Sequence, residues 1–88
     1  MIDLNEVYMD GSGSWALKKV SINPRKVVAI KENTTYASLV AESNSKVPSV
    51  FREFCTIILE GREIVVVGEI NELRHTIKYF GKKGLIYG

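Results

Sequence analysis

Short apolar runs separated by turn residues dominate the chain, and most follow the two-residue period of β-strands. Ile2, Leu4 and Val7 predict a first strand, Asp10-Gly11-Ser12-Gly13-Ser14 a turn, and Trp15 to Ile22 a second strand completing a hairpin. Glycine takes positive φ without steric cost, and Asp and Ser side chains bond nearby amides, so this turn suits a tight reversal. In the second strand Trp15 and Leu17 share one face while Val20 and Ile22 share the other. A period-two ladder allows that only through a bulge or a change of burial side near Lys18-Lys19, and a bulge or strong twist is the expectation. Asn23-Pro24 then interrupts the ladder, because proline donates no backbone hydrogen bond. Val27-Val28-Ala29-Ile30 predicts a third strand, ending in the polar Lys31-Glu32-Asn33.

Residues 34–54 carry a weaker pattern and read as an inserted loop or short-helix segment. Within it Thr35-Tyr36 to Leu39-Val40 suits a strand extension, Ser43-Asn44-Ser45-Lys46 an exposed loop, and Pro48 the start of a helical turn through Phe54. The signal sharpens at Cys55. Thr56-Ile57-Ile58-Leu59 is a strand, Glu60-Gly61-Arg62 a tight turn, and Glu63 to Val67 the antiparallel mate. After Gly68, Ile70, Leu73, Ile77 and Phe80 recur at helical spacing and predict an amphipathic helix of about ten residues. Gly81 stands where a C-cap glycine belongs, and Lys78, Lys82 and Lys83 lie near the negative end of the helix dipole. Leu85-Ile86-Tyr87 is an apolar tail suited to an edge strand or to docking on a partner. The predicted fold is therefore α+β, in a single small domain over residues 1–88. It is a small antiparallel β-sheet or partly open barrel of about five strands with one C-terminal amphipathic helix.

The runs Ile57-Ile58-Leu59 and Val65-Val66-Val67 are apolar in succession, so they place hydrophobic side chains on both faces of the sheet. One helix covers one face. Residues 34–54, barrel closure or a second copy of the chain must cover the other. The second copy is the preferred expectation, with Ile58, Val65 and Val67 at the oligomer interface. Burying one such side chain is worth roughly 1.5–3 kcal/mol, a large sum for a small domain.

Composition narrows the class. The chain has 88 residues, 45% apolar and 25% charged, which is globular rather than disordered. Its formal charge of +2 is small for a generic polyanion binder and argues against nucleic acid as a partner. A single cysteine excludes an internal disulfide and a cysteine-based zinc site. No apolar run approaches the roughly 20 residues that span a bilayer. The acidic start of the chain lacks the basic region of a secretion signal, so the expected location is the cytoplasm.

Candidate catalytic chemistry is sparse. His75, the only histidine, falls beside Arg74 and away from the Ile70, Leu73 and Ile77 stripe, as a solvated helix residue would. Cys55 opens an apolar strand and reads as a buried structural thiol. Gly11-Ser12-Gly13-Ser14 lacks the ending of a phosphate-binding loop. Asp3, Glu6 and Asp10 are not forced together by spacing. No enzyme activity, cofactor or metal site is expected. Binding features are stronger: Tyr8, Trp15 and Tyr36 lie near Lys18, Lys19, Arg25 and Lys26, and aromatics interleaved with cations can stack a base and hold a phosphate. Arg52, in the inserted segment, is a further candidate anion contact. The candidate ligand-binding residues are thus Trp15, Arg25, Lys26, Tyr36 and Arg52.

Two stretches carry a family resemblance. Val20-Ser21-Ile22-Asn23-Pro24-Arg25-Lys26-Val27-Val28-Ala29-Ile30-Lys31-Glu32 and Thr56-Ile57-Ile58-Leu59-Glu60-Gly61-Arg62-Glu63-Ile64-Val65-Val66-Val67 resemble the small FlbD-like flagellar proteins and related short phage proteins. Gly68-Glu69-Ile70-Asn71-Glu72-Leu73 and Ile77 take the positions of that family's helix start and later isoleucine. Glu69 replaces the family's serine cap, and residues 34–54 stand where the family has a short turn. The resemblance implies a β-rich scaffold with a terminal helix and a phage or bacterial source, hence the host cytoplasm for a phage protein. It carries over no flagellar role.

The leading expectation is a non-catalytic, homo-oligomeric binding protein, phage-encoded, engaging a host or viral partner. The alternative is sequestration of an anionic nucleotide-type signalling ligand in a pocket between subunits. Single-stranded nucleic-acid binding ranks third.

Overall fold

The computed structural model describes residues 1–41 and 45–87, the last six of these as backbone only. Five antiparallel strands, β1 (Ile2–Met9), β2 (Trp15–Ile22), β3 (Val27–Glu32), β4 (Phe54–Leu59) and β5 (Arg62–Val67), form one sheet in the order β2-β1-β5-β4-β3. Two helices accompany it, α1 (Thr34–Val40) and α2 (Ile70–Tyr87). A small α+β fold is thus present, and its sheet is not closed.

Local chemistry explains both hairpins. Asp10 turns β1 into β2: its Oδ1 accepts from the Ser12 and Ser14 amides at 2.9 and 3.1 Å, and Gly13 supplies a φ of +82°. β4 and β5 are joined by the two residues Glu60-Gly61, with Gly61 at φ +85°. Asn23 caps the one-turn 3₁₀ helix Pro24–Lys26, its side chain accepting from the Arg25 amide at 3.0 Å.

The expected bulge at Lys18-Lys19 is absent. β1 and β2 stay in register from Ile2↔Ile22 to Met9↔Trp15. The burial side changes instead: Val20 and Ile22 join one core with Ile2 and Leu4, while Trp15 and Leu17 join another with Val7. The irregularity lies in β3, between Val27 and Ala29, and leaves Val28 exposed.

The sheet folds over on itself. β1 and β5 pair at the one bridge Glu6↔Val66. β2 and β3 are opposite edges of the sheet, yet only Asn23 and the 3₁₀ turn separate them in sequence. Four strand spacings in a flat sheet come to about 19 Å. The short link reaches only about 13 Å. Curling closes the difference, and Met1 and Ile22 accordingly line the same cavity of about 250 Å³ as Leu59 and Arg62.

Inside that curl lies the first core: Ile2, Ile22, Cys55, Ile57, Leu59, Ile64 and Val66, sealed by Leu73 and Ile77 of α2. α2 begins on Glu69, whose carboxylate oxygens accept from the Asn71 and Glu72 amides at 3.0 Å each. That is the capping role the family resemblance assigns to serine, performed by a longer side chain. The helix does not stop at Gly81, which passes Pro24, and it is longer than its spacing suggests. Leu85-Ile86-Tyr87 continues its backbone rather than adding a strand. The expected contributions of Lys82 and Lys83 lie outside the described side chains.

Residues 34–41 and 45–54 build the second layer. Thr34–Val40 is helical, not a strand extension, and Pro48 opens only a single turn, with the Phe51 amide donating to its carbonyl at 3.1 Å. Ser43 and Asn44 of the expected loop lie outside the described residues. This layer and the opposite sheet face share a second core of Val7, Val40, Val47 and Phe54, flanked by Trp15, Leu17, Tyr36, Val65 and Val67.

Gly68 adopts φ +152°, and a Cβ there would sit 2.9 Å from Leu73 Cγ and Cδ1. Gly68→Ala is expected to cost about 1–3 kcal/mol in urea unfolding, because Leu73 has no room to retreat. Ile57→Ala, in the fully buried centre, is expected to cost about 2–5 kcal/mol. An unchanged midpoint for Gly68→Ala would contradict the close seating of α2.

Candidate binding site

Asn33 makes the junction from which the second layer is hung. Its Oδ1 accepts from the Tyr36 amide at 3.2 Å and so starts α1. Its Nδ2 donates to Thr56 Oγ1 at 2.9 Å, and its own amide donates to the Phe54 carbonyl at 2.9 Å. α1 is therefore pinned to β4, and its Tyr36 ring meets Trp15 edge-on, with centroids 5.1 Å apart.

A clasp ties the far side of the layer to the first hairpin. Lys46 Nζ donates to Asp10 Oδ2 at 2.6 Å, and the Lys46 amide donates to the Trp15 carbonyl at 2.7 Å. The ammonium, the Ser12 hydroxyl and the turn amides hold the Asp10 carboxyl well below the usual carboxylate range. The same pairing raises the Lys46 ammonium above its ordinary value.

Between α1 and the segment after Lys46 lies a cavity of about 560 Å³, walled by Ala37, Val40, Val47, Pro48, Phe51 and Arg52. Its lining is mainly hydrophobic, with the exposed Arg52 supplying a cation. Phe51 and Arg52 also border a neighbouring hollow of about 510 Å³ that Glu53, Glu69 and Glu72 line as well.

The structure divides the five candidate ligand residues. Trp15 of β2 contacts Tyr36 of the second layer, and Arg52 belongs to that layer. Arg25 and Lys26 are exposed on the 3₁₀ turn beyond the other end of β2. Seven residue steps of strand separate Trp15 from Ile22, or about 23 Å. One subunit does not gather all five around a single ligand.

The interface candidates also divide. Val65 and Val67 pack half-buried beneath the inserted segment, so the cover expected from a second copy comes, for them, from the same chain. Ile58 lies outside both cores, half-buried between its register partners Ala29 and Glu63.

Other chemistry is quiet. His75 is exposed on α2. Cys55 is fully buried, and its thiol contacts the Gly68 carbonyl at 3.4 Å. Burial, reinforced by Glu32, Glu69 and Glu53, pushes the Cys55 thiol up, away from the reactive thiolate. Among the described residues no group of three His, Cys, Asp or Glu side chains is placed to hold a metal ion. No described helix is long and apolar enough to cross a membrane.

Sequence reasoning missed the Asp10–Lys46 clasp and the work done by Asn33. Asn33-Thr34 ahead of an apolar recurrence carries a helix-start signal that identifies the second. Nothing local announces the first, whose partners are 36 residues apart.

No protein-family model matches the chain, and comparison with curated proteins and with solved structures finds no match either. The resemblance to the small flagellar proteins stands on the residues quoted above alone.

The clasp predicts an acid-sensitive layer. A carboxyl with a depressed folded pKa contributes stability above its unfolded value, near 4, and loses it as pH falls through the folded value. Amide exchange at Lys46 is expected to stay slow through pH 4 and to accelerate only in stronger acid. Asp10→Asn should expose that amide across the whole range, and equal protection in both proteins would disprove the clasp.

Proposed function

We propose that this chain is a non-catalytic binding protein that works as a homo-oligomer, with the layer formed by residues 34–41 and 45–54 as its contact surface for a host or viral partner or a small ligand. The observation that carries the reading is the 560 Å³ cavity, which falls within the size range of ligand pockets and combines a mainly apolar lining with the polar Ser45 and Ser49 and the cation Arg52. Trp15 lies in the core beneath that layer and is the only tryptophan, so its fluorescence reports on ligand entry. Titration with small amphipathic anions is expected to change Trp15 emission and raise the melting temperature, and Arg52→Ala to weaken both effects with little loss of fold stability. An unresponsive protein across medium-chain carboxylates and mononucleotides at millimolar concentration would overturn this reading.

Self-association draws support from the opposite side of the molecule. Val28 on β3 is 66% exposed, and Tyr79 and Phe80 on α2 are 55% and 42% exposed. The two aromatic rings stack edge-on at 5.2 Å, a ready apolar surface. Sedimentation equilibrium at micromolar concentration is expected to give a mass that is a multiple of 9.9 kDa. A strictly monomeric species removes the oligomer.

The alternative is a nucleotide-type anion trapped between subunits, and the division of the candidate residues sets its geometry. With Arg25 and Lys26 at one end of β2 and Trp15 and Tyr36 at the other, a site using both groups requires two copies. Such a ligand at a hundred times its dissociation constant stabilises by about 2.7 kcal/mol, a shift that a thermal scan resolves. Loss of that shift in Arg25→Ala supports the shared site.

A further inference from the structure

We infer that the outer edge of β2 receives an extended acidic segment of another protein, which adds to the sheet as a sixth strand. The Asp10 amide donates to the Ser14 carbonyl at 2.8 Å, which sets the alternation of the ladder that continues into β1 and β2. By that alternation Ala16, Lys18 and Val20 exchange bonds with β1, while the N–H and C=O groups of Leu17, Lys19 and Ser21 point away from it. β2 ends the sheet, so no strand meets those groups. The next outward carbonyl, that of Trp15, accepts the Lys46 amide at 2.7 Å, so this edge already takes a backbone donor from outside the sheet. Among the described residues Leu17 and Lys19 have no such partner.

The other edge is a poorer template. β3 is broken by its irregularity between Val27 and Ala29, and α2 packs beside it. β2 runs eight residues without a break.

Charge selects the occupant. Lys18 and Lys19 are both exposed and, as neighbours on a strand, project from opposite faces. Lys18 faces Glu6 across the ladder and lies over the Tyr8 ring at 4.7 Å. Lys19 faces the neutral Asn5. Among the described residues neither lysine forms an ion pair, the Lys46–Asp10 bridge being the one present. A second copy whose β2 paired antiparallel about either lysine would set like charges opposite each other. An incoming strand with adjacent carboxylates sets opposite charges there on both faces and completes the ladder from Leu17 to Ser21. This site is separate from the cavity, and neither depends on the other.

The test uses the full chain and a capped hexapeptide with two adjacent glutamates flanked by valines, beside a control peptide carrying lysines in their place. The acidic peptide is expected to bind, to slow amide exchange at Leu17 and Lys19, and to release steeply with salt. Lys19→Glu should weaken it about tenfold and improve binding of the lysine peptide, whereas Lys31→Glu on β3 should leave both unchanged. Equal affinity for the two peptides, or binding without protection at Leu17 and Lys19, overturns the inference. So does protection at those amides that rises with protein concentration in the absence of peptide, which would assign the edge to a second copy.

Discussion

β4 and β5 carry apolar side chains on both faces, and the rest of the molecule is arranged around covering them. Ile57, Ile64 and Val66 face α2, while Phe54, Val65 and Val67 face the segment that follows β3. Neither cover is large. Each is held by a few directed contacts: Glu69 and the close approach at Gly68 seat α2, while Asn33 and the Asp10–Lys46 bridge seat the second layer. The hydrophobic demand is diffuse, but the means of meeting it are specific, which is how a chain of this size reaches a defined fold.

The two covers differ in quality. α2 lays Leu73 and Ile77 into a tightly packed core. The second layer consists of a seven-residue helix and a chain segment with a single turn, which cannot tile a strand face as a long helix does. The cavity beside Val47 and Phe51 is the geometric remainder of that imperfect tiling.

Much of this architecture was legible in the residues. The hairpins followed from Asp10 to Ser14 and from Glu60-Gly61, the strands from alternation, and the terminal helix from Ile70, Leu73 and Ile77. The requirement for two covers followed from consecutive valines, although the source of the second cover did not. Helix α1 was hidden because Thr34, Thr35 and Val40 favour strands, and the Asn33 cap with its bond to Thr56 outweighs that weak propensity. Of the two ways β2 could carry its apolar pairs, a bulge or a change of burial side, the structure takes the second, because the pairs serve different cores, a tertiary fact with no local signature. The candidate cations and aromatics were recognised by type, but sequence proximity placed Arg25 near Trp15, whereas the extended strand between them holds them apart.

The single Glu6↔Val66 bridge has a consequence for how the chain reaches this state. Its partners stand sixty positions apart, whereas the β1–β2 and β4–β5 pairings close over short turns. Loop-closure entropy makes the local hairpins inexpensive and the long-range seam costly, so the seam is the natural late step of assembly. The molecule is in that sense two locally closed hairpins, brought together by one long-range pairing and by the two cores they share.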